Sequence, residues 1–232
     1  MPEPGAGRPG HPGSAREGPI RLTGPSAMAH PPIDEADLVL ASVEDENKFR
    51  EIAEHMRAII EALGLDPSDP NLKDTHERVA RMYLEMFHGL SEGAEPKVTV
   101  FPNEEHYTAM VMEKDIPFYS MCAHHFVPFY GHAHVAYIPN ERIVGLSKMP
   151  RIVEFYACRP QLQERLTEQI AGFMAEKLLP QGVMVVVEAR HLCVEMRGVK
   201  KPGALTVTSA IRGIFFNRPV REEFLDLLNR RG

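Results

Sequence analysis

Cys122-Ala123-His124-His125 is the stretch of this sequence with the clearest chemical potential. A thiol and an imidazole three residues apart hold one tetrahedral zinc ion when the backbone turns between them. In a flat strand they would face opposite sides, so a shared ion requires a turn or bulge there. Alone, such a pair is more often structural than metal-binding. A second pair, His191 and Cys193, follows an apolar run over 183–187. With period-two alternation, Val183, Val185, Val187, Ala189, His191 and Cys193 share one strand face, so the last two point the same way from its end. The plain alternative is a buried cysteine and a satisfied histidine. Together the two pairs offer two thiolates and several imidazoles, the donor chemistry zinc prefers. Four ligands, Cys122, His125, His191 and Cys193, would make a closed structural site. Three would leave an open, catalytic position for water. Spacing does not choose between these.

Cations gather in the same half of the chain: Lys148 and Arg151, then Arg197, Lys200 and Lys201. A solvated face is the ordinary explanation of such a cluster. Ser147 is placed to cap a helix, and free amides at that helix start beside Lys148 and Arg151 would make a phosphate site. No Walker-type glycine loop is present, so a nucleotide would be gripped by side chains and helix ends. Gln163 and Glu164 fall in the first turn of a further predicted helix. A glutamate there favours the helix dipole; facing a pocket, its carboxylate would instead accept two N–H bonds from a guanine edge.

The elements that must position these groups follow from pattern. Helical spacing of Phe49, Ile52, Ala53, Met56, Ile59, Ile60 and Leu63 predicts a first helix, with Ser42 and Asp45 as a capping box and Gly64 past its end. A second helix opens at Asp74 with Glu77, carries Val79, Met82, Tyr83, Met86 and Phe87, and stops at Gly89. Short strands are predicted over 97–101, 108–114 and 131–138, with a broken region near Ser120. Two helices intervene, one over 147–158 and one starting after Pro160 as a first-turn proline. Strands return over 182–194 and 204–216, and a helix after Pro219 closes the chain. Helices grouped first, then set between antiparallel-looking strands, predict an α+β fold.

The 232 residues carry a formal net charge of −6, with 44% hydrophobic and 25% charged residues, which excludes a wholly disordered or collagen-like chain. A pI near 6.0 argues against a nucleic-acid partner but leaves room for a basic pocket holding a small anion. Apolar runs fall far short of the roughly 18 residues a membrane span needs. Three cysteines, Cys122, Cys158 and Cys193, make no disulfide framework and suit a reducing cytoplasm. Cys158 has no role beyond core packing. Residues 1–32 hold eight prolines and six glycines with almost no bulky apolar residues, the composition of a disordered tail. The tail lacks the apolar stretch of a signal peptide, and Met28 is an alternative start. The domain expectation is therefore a tail over 1–32 and a catalytic domain over 33–232, with N-terminal helices about 42–89 and a core about 97–232.

These motifs, in this order, resemble the GTP cyclohydrolase I family. The resemblance covers about 63–228. It is carried by Ser120-Met121-Cys122-Ala123-His124-His125-Phe126, by Val144-Gly145-Leu146-Ser147-Lys148 with Arg151, by Arg159-Pro160-Gln161-Leu162-Gln163-Glu164-Arg165-Leu166, and by His191-Leu192-Cys193-Val194-Glu195-Met196-Arg197-Gly198. It implies a tunnelling fold (T-fold), with antiparallel sheets of many subunits closed into an oligomeric barrel. It further implies a homodecamer with active sites at subunit interfaces, and conversion of GTP and water to 7,8-dihydroneopterin triphosphate and formate on the way to tetrahydrofolate or pterin. By position it implies Cys122, His125 and Cys193 as Zn2+ ligands in an open site. His191 becomes the acid–base residue beside the metal, with His124 and Ser147 as further catalytic groups. Lys148, Arg151, Arg197 and Lys201 would hold the triphosphate, and Glu164, with Gln163 beside it, the guanine.

Two residues depart from the family pattern. Ala123 stands where the family usually has Glu, which bears on rate or substrate scope more than on metal binding. Thr75-His76 replaces the usual Thr-Pro, a small local change. The competing readings are a related tunnelling-fold enzyme acting on another purine or pterin, such as a deazaguanine reductase, and a non-catalytic GTP-binding paralogue.

Overall fold

The computed structural model describes residues 43–230, all within one unit, Leu40–Gly232. The 1–32 tail, Met28, the domain boundary at 33 and the capping Ser42 lie outside the described residues.

Helix α1 (Val43–Ala62) packs on α2 (Thr75–Met86), with Ala53 and Ile60 of its predicted stripe buried, Ile59 and Leu63 left exposed, and the Arg81 guanidinium 5.2 Å above the Phe49 ring. Gly64 takes φ +78°, and the Leu65 N–H donates to Ile60 O, so the helix ends in the left-handed turn that glycine permits. Asp74 sits at the start of α2 without a capping side-chain bond. The helix stops at Met86, earlier than expected, and Gly89 lies in a 3-10 turn, His88–Leu90. Glycine is required there for close approach: a Cβ would meet the Phe155 carbonyl oxygen at 2.4 Å and that of Cys158 at 2.7 Å.

Strands β1 (Val100–Pro102) and β4 (Arg142–Val144) form a small antiparallel pair. The main sheet has the order β5-β2-β3-β6-β7, with β2 Val111–Cys122, β3 Pro128–Ile138, β5 Pro160–Gln161, β6 Gly182–His191 and β7 Leu205–Gly213. All its neighbours are antiparallel except β5, which pairs parallel with the end of β2. Helices α3 (Lys148–Ala157) and α4 (Gln163–Leu178) cover one face, burying Met149, Ile152, Leu166 and Ile170 against Phe118, Val135, Val185 and Val187. Each such side chain contributes about 1.5–3 kcal/mol on leaving water. On the other face, a 3-10 turn (Ile214–Phe216) and α6 (Arg218–Asn229) set Phe215 and Phe224 over Met110, Ala136, Met184 and Val186. Strand β6 is buried on both faces, which is why its sequence reads as a continuous apolar run. This mixed α+β architecture is consistent with a T-fold. Among the described residues no helix is long and apolar enough to cross a membrane.

Several expected elements move. The strand expected over 97–101 begins only at Val100. No break occurs near Ser120: β2 runs through to Cys122, and its irregularity lies between Glu113 and Ile116, where Asp115 takes φ +59°. Pro117 is tolerated because β5 pairs only with Met121 and Cys122, leaving that stretch of β2 an open edge. Pro160 lies in β5 instead of a helical first turn, opposite Met121, and α4 begins at Gln163 after an extended Leu162. Strand β6 ends at His191, and Leu192–Glu195 form the one-turn helix α5. The strand expected over 204–216 ends at Gly213, whose φ of +60° starts the 3-10 turn.

Candidate metal centre and surrounding site

Cys122 closes β2, and the chain then turns through Ala123, His124 and His125 before β3 begins, as a shared ion requires. The Cys122 N–H donates to Val127 O at 3.0 Å, and the Phe126 N–H donates to Cys122 O at 2.8 Å. Phe126, at φ +51°, packs edge-on against Tyr83 of α2 and Phe87 just past its end. From the other side, the Ala123 N–H donates to Gln161 O of β5 at 2.9 Å. The turn is thus clamped between a helix and an edge strand. Ala123 itself is partly buried and presents only a methyl where the resemblance expects a carboxylate.

Cys193 reaches this turn from α5, not from the strand expected to carry it. Arg190 braces α5 by donating to both carboxylate oxygens of buried Glu195, at 2.7 and 2.6 Å. These hydrogen bonds hold the Glu195 carboxyl below its ordinary pKa. The candidate ligand atoms of Cys122, His125 and Cys193 all lie within 4.8 Å of one another. Ligands of a tetrahedral zinc are about 3.5–3.8 Å apart, so small adjustments bring these three onto one ion. Cys122 is buried, Cys193 half-buried and His125 exposed, which leaves a solvent side for a fourth ligand. Without an ion, burial first and then the hydrogen bond with Cys122 raise the Cys193 pKa, with Arg197 pulling it back. Coordination reverses that balance by deprotonating the thiol. Two thiolates and an imidazole therefore fit zinc.

His191 is not gathered into this trio. Its ring lies on Phe129, directly opposite it in the β3–β6 register, and its Nε2 is 2.7 Å from Gln163 Oε1. Burial pushes its pKa below the ordinary imidazole value, and the nearby Glu164 carboxylate pushes it back up. His124 stands edge-on to His125, ring centroids 6.2 Å apart. Glu164 and Arg197 thus lie close enough to act on His191 and Cys193. Lys201 is exposed, and its N–H ties the loop after α5 to Val194 O. Gln163 is 2% exposed, with its polar atoms bonded inside the protein.

Ser147, Lys148 and Arg151 lie elsewhere. Ser147 precedes α3 in a helical conformation and makes no capping side-chain bond. The expectation of free amides at this helix start fails. The Lys148 and Met149 N–H groups already donate to Gly145 O and Leu146 O, and Pro150 has none. What remains is a side-chain site: Lys148 and Arg151 line a pocket of about 400 Å³ with His88, Lys97 and Glu154. No metal-site residue lines it. Ser120 Oγ donates to Ala157 O at 2.6 Å, tying the far end of α3 to the metal turn. At 1.5 Å per residue, Lys148 is then roughly 13 Å along the helix axis from that tie.

Sequence reasoning missed Phe129, His88 and Lys97, and gave Phe126 no role beyond its place in the motif. Phe126 follows a candidate ligand and was open to notice. Phe129 acquires its meaning only from strand register, and His88 and Lys97 only from packing across distant segments.

Against known proteins, the GTP cyclohydrolase I family profile matches residues 52–229. GTP cyclohydrolase 1 of Carboxydothermus hydrogenoformans is 60% identical over 161 residues, 69% of this chain and 83% of that protein. GTP cyclohydrolase 1 of Geobacillus kaustophilus is 54% identical over 185 residues, 79% of this chain and 98% of that protein. A weaker likeness is to the crystal structure of the archaeosine synthase QueF-Like in the apo form. It has a TM-score of 0.37 at 21% identity over 45% of this chain and 93% of the other.

Proposed function

The chain belongs to the GTP cyclohydrolase I family, and on that premise we propose that it performs the zinc-dependent hydrolysis and rearrangement of GTP to 7,8-dihydroneopterin triphosphate and formate, the first step of tetrahydrofolate or pterin synthesis. The observation that carries the finer reading is the convergence of Cys122, His125 and Cys193 on one point, with His191 on the neighbouring strand end. A zinc ion held there would supply Lewis acidity, lowering the pKa of a water toward neutrality.

The chain's own residues supply the rest. His191 carries a proton to and from the purine ring, and its imidazole suits exchange near neutral pH. His124, exposed beside His125, and Ser147 assist the later rearrangement of the ribose. Glu164, in the first turn of α4, accepts the N–H groups of the guanine edge. Arg197 and Lys201 meet phosphate from the α5 side, and Lys148 and Arg151 meet it from their separate pocket.

The separation of that pocket from the metal trio supports a site completed between copies of the chain, as in a homodecamer. Within one chain, none of Cys122, His125 and Cys193 lines that pocket, and Lys148 begins α3 whereas the tie to the Cys122 turn is made at its last residue, Ala157. Residues 33–232 form the catalytic domain in this reading, with 1–32 as a tail and the cytoplasm as its location.

The test is incubation of the zinc-loaded protein with GTP, assaying formate and, after oxidation, fluorescent neopterin. Both products are expected, and both are lost in C193S together with bound zinc. A metal-free C193S of full activity would overturn the ligand assignment. GTP binding without formate release would mark a non-catalytic paralogue, and full activity in a chelator would favour a metal-independent relative.

A further inference from the structure

Gln163 is the one candidate substrate-binding residue whose side chain is fully enclosed, 2% exposed at the start of α4. Its Nε2 lies 2.9 Å from Val187 O and 3.0 Å from Thr206 O, with Thr208 Oγ1 at 3.2 Å. Two backbone carbonyl oxygens only accept, so this end of the amide is the NH2 group, and both its protons are committed. The opposite orientation would set three carbonyl oxygens against one another.

The backbone at this point is pinned as well. Thr167 Oγ1 donates to Gln163 O at 2.8 Å. Thr167 has no second proton, so at its 2.7 Å contact with Thr208 Oγ1 the proton comes from Thr208. Gln163 is therefore tied through α4, β6 and β7 at once, and its Oε1 has one orientation available. That oxygen lies 2.7 Å from His191 Nε2 and can only accept.

We propose that Gln163 is a positioning residue that holds neutral His191 in the tautomer with its proton on Nε2, leaving Nδ1 as the nitrogen available to the reaction. The proposal rests on reading His191 as the proton-transfer group. The ring has two restraints of different kinds. Phe129, fully buried, fixes its plane by stacking at 4.6 Å with 3° between planes. Gln163 fixes its rotation within that plane. A ring fixed in plane and rotation has its second nitrogen fixed too. A neutral imidazole carries one N–H, so a proton on Nε2 leaves a lone pair on Nδ1. Gln163 thereby acts through His191, not by touching guanine, and Glu164 alone of the pair remains free to face substrate.

The experiment is solid-state NMR of zinc-loaded protein with 15N-labelled histidine, with the His191 signals assigned by difference from H191N. The neutral wild-type ring is expected to show a protonated Nε2 and a bare Nδ1. In Q163L, which keeps the volume and removes the oxygen, the His191 signals are expected to become a mixture of tautomers. General acid–base groups contribute about 10²–10⁴-fold, so kcat is expected to fall at least about tenfold while KM for GTP stays within about twofold. A wild-type ring protonated on Nδ1 overturns the proposal by itself, whether or not Q163L folds. So does a folded Q163L that loses activity through KM alone. If wild-type protein shows the Nε2–H tautomer yet releases no formate from GTP, the functional reading fails and the hydrogen-bond assignment stands.

Discussion

The imidazole of His191 lies face to face with the ring of Phe129, their centroids 4.6 Å apart and their planes 3° from parallel. Phe129 is itself set edge-on against Phe118 at 5.9 Å, so the histidine rests on a platform continuous with the core. Leucine at 129 keeps an apolar side chain but offers no flat face. The F129L protein is expected to lose about 1–2 kcal/mol of stability from the lost volume and ring contacts. It is also expected to lose kcat at a temperature where it is fully folded. Urea denaturation and steady-state kinetics on the same preparation separate the two effects. An unchanged kcat in the folded protein would reduce the stack to a packing contact.

His134 supplies a pH dependence away from the candidate metal site. Its side chain is buried on β3, where Nδ1 accepts the Asp115 N–H at 3.0 Å across the β2 bulge. Burial lowers its pKa. Asp115 and Glu188 oppose that shift, while His132 and Lys114 add to it. In the unfolded chain the imidazole titrates near 6.5. With the folded value lower, the unfolded state takes up the proton first as pH falls. Stability is then full above about 6.5 and is lost as pH drops from there toward the folded value. Asparagine keeps an acceptor for the Asp115 N–H and does not titrate. The urea midpoint of wild type is expected to fall more steeply than that of H134N between pH 7.5 and 5.5. Parallel curves would show that His134 has no part in the dependence.

At the start of α2, His76 departs from the proline its family usually carries, and its Nδ1 is buried without a partner. The same chain already tolerates proline at the equivalent place, since Pro219 is the second residue of α6. Proline at 76 removes the unpartnered nitrogen and restricts the unfolded chain. H76P is expected to be more stable by about 0.4–1 kcal/mol, read as a higher thermal midpoint. A lower midpoint would mean that the His76 ring contributes packing that proline does not replace.

The chemistry was more legible in this chain than its geometry. The spacing of Cys122 and His125 predicts a turn if they are to share an ion, and the chain does turn between β2 and β3. Period-two spacing puts His191 and Cys193 on one strand face, whereas only Cys193 joins Cys122 and His125, and it does so from a helix. Period two ended at His191, where the Arg190–Glu195 pair folds the next residues into a single helical turn. Pro160 misled because a proline before an apolar helical stripe looks like its first turn, whereas two residues of parallel pairing to β2 outcompete helix there. Ser147 has the residue type of a cap, yet the preceding carbonyls had already claimed the amides it was to frame. Register and long-range packing decide such cases, and neither is written in local spacing.

The division of the site across α3 has a direct genetic test. If the metal half of one copy works with the cationic half of another, two defective chains can restore each other. C193S removes a candidate metal ligand and leaves Lys148 and Arg151 intact, while K148A/R151A keeps Cys122, His125 and Cys193 and loses two cations of the pocket. Charge-assisted contacts are worth about 1.5–3 kcal/mol each, so the double variant alone is expected to raise KM for GTP by at least about a hundredfold. Assembled from equal amounts of both chains, a random hybrid pairs an intact metal half with an intact cationic half at about one site in four, and should regain about a quarter of wild-type activity. Rates of the separate variants, the mixed assembly and wild type at one low GTP concentration decide the matter. If both halves serve the same chain, every site in the hybrid carries one defect, and mixing restores nothing.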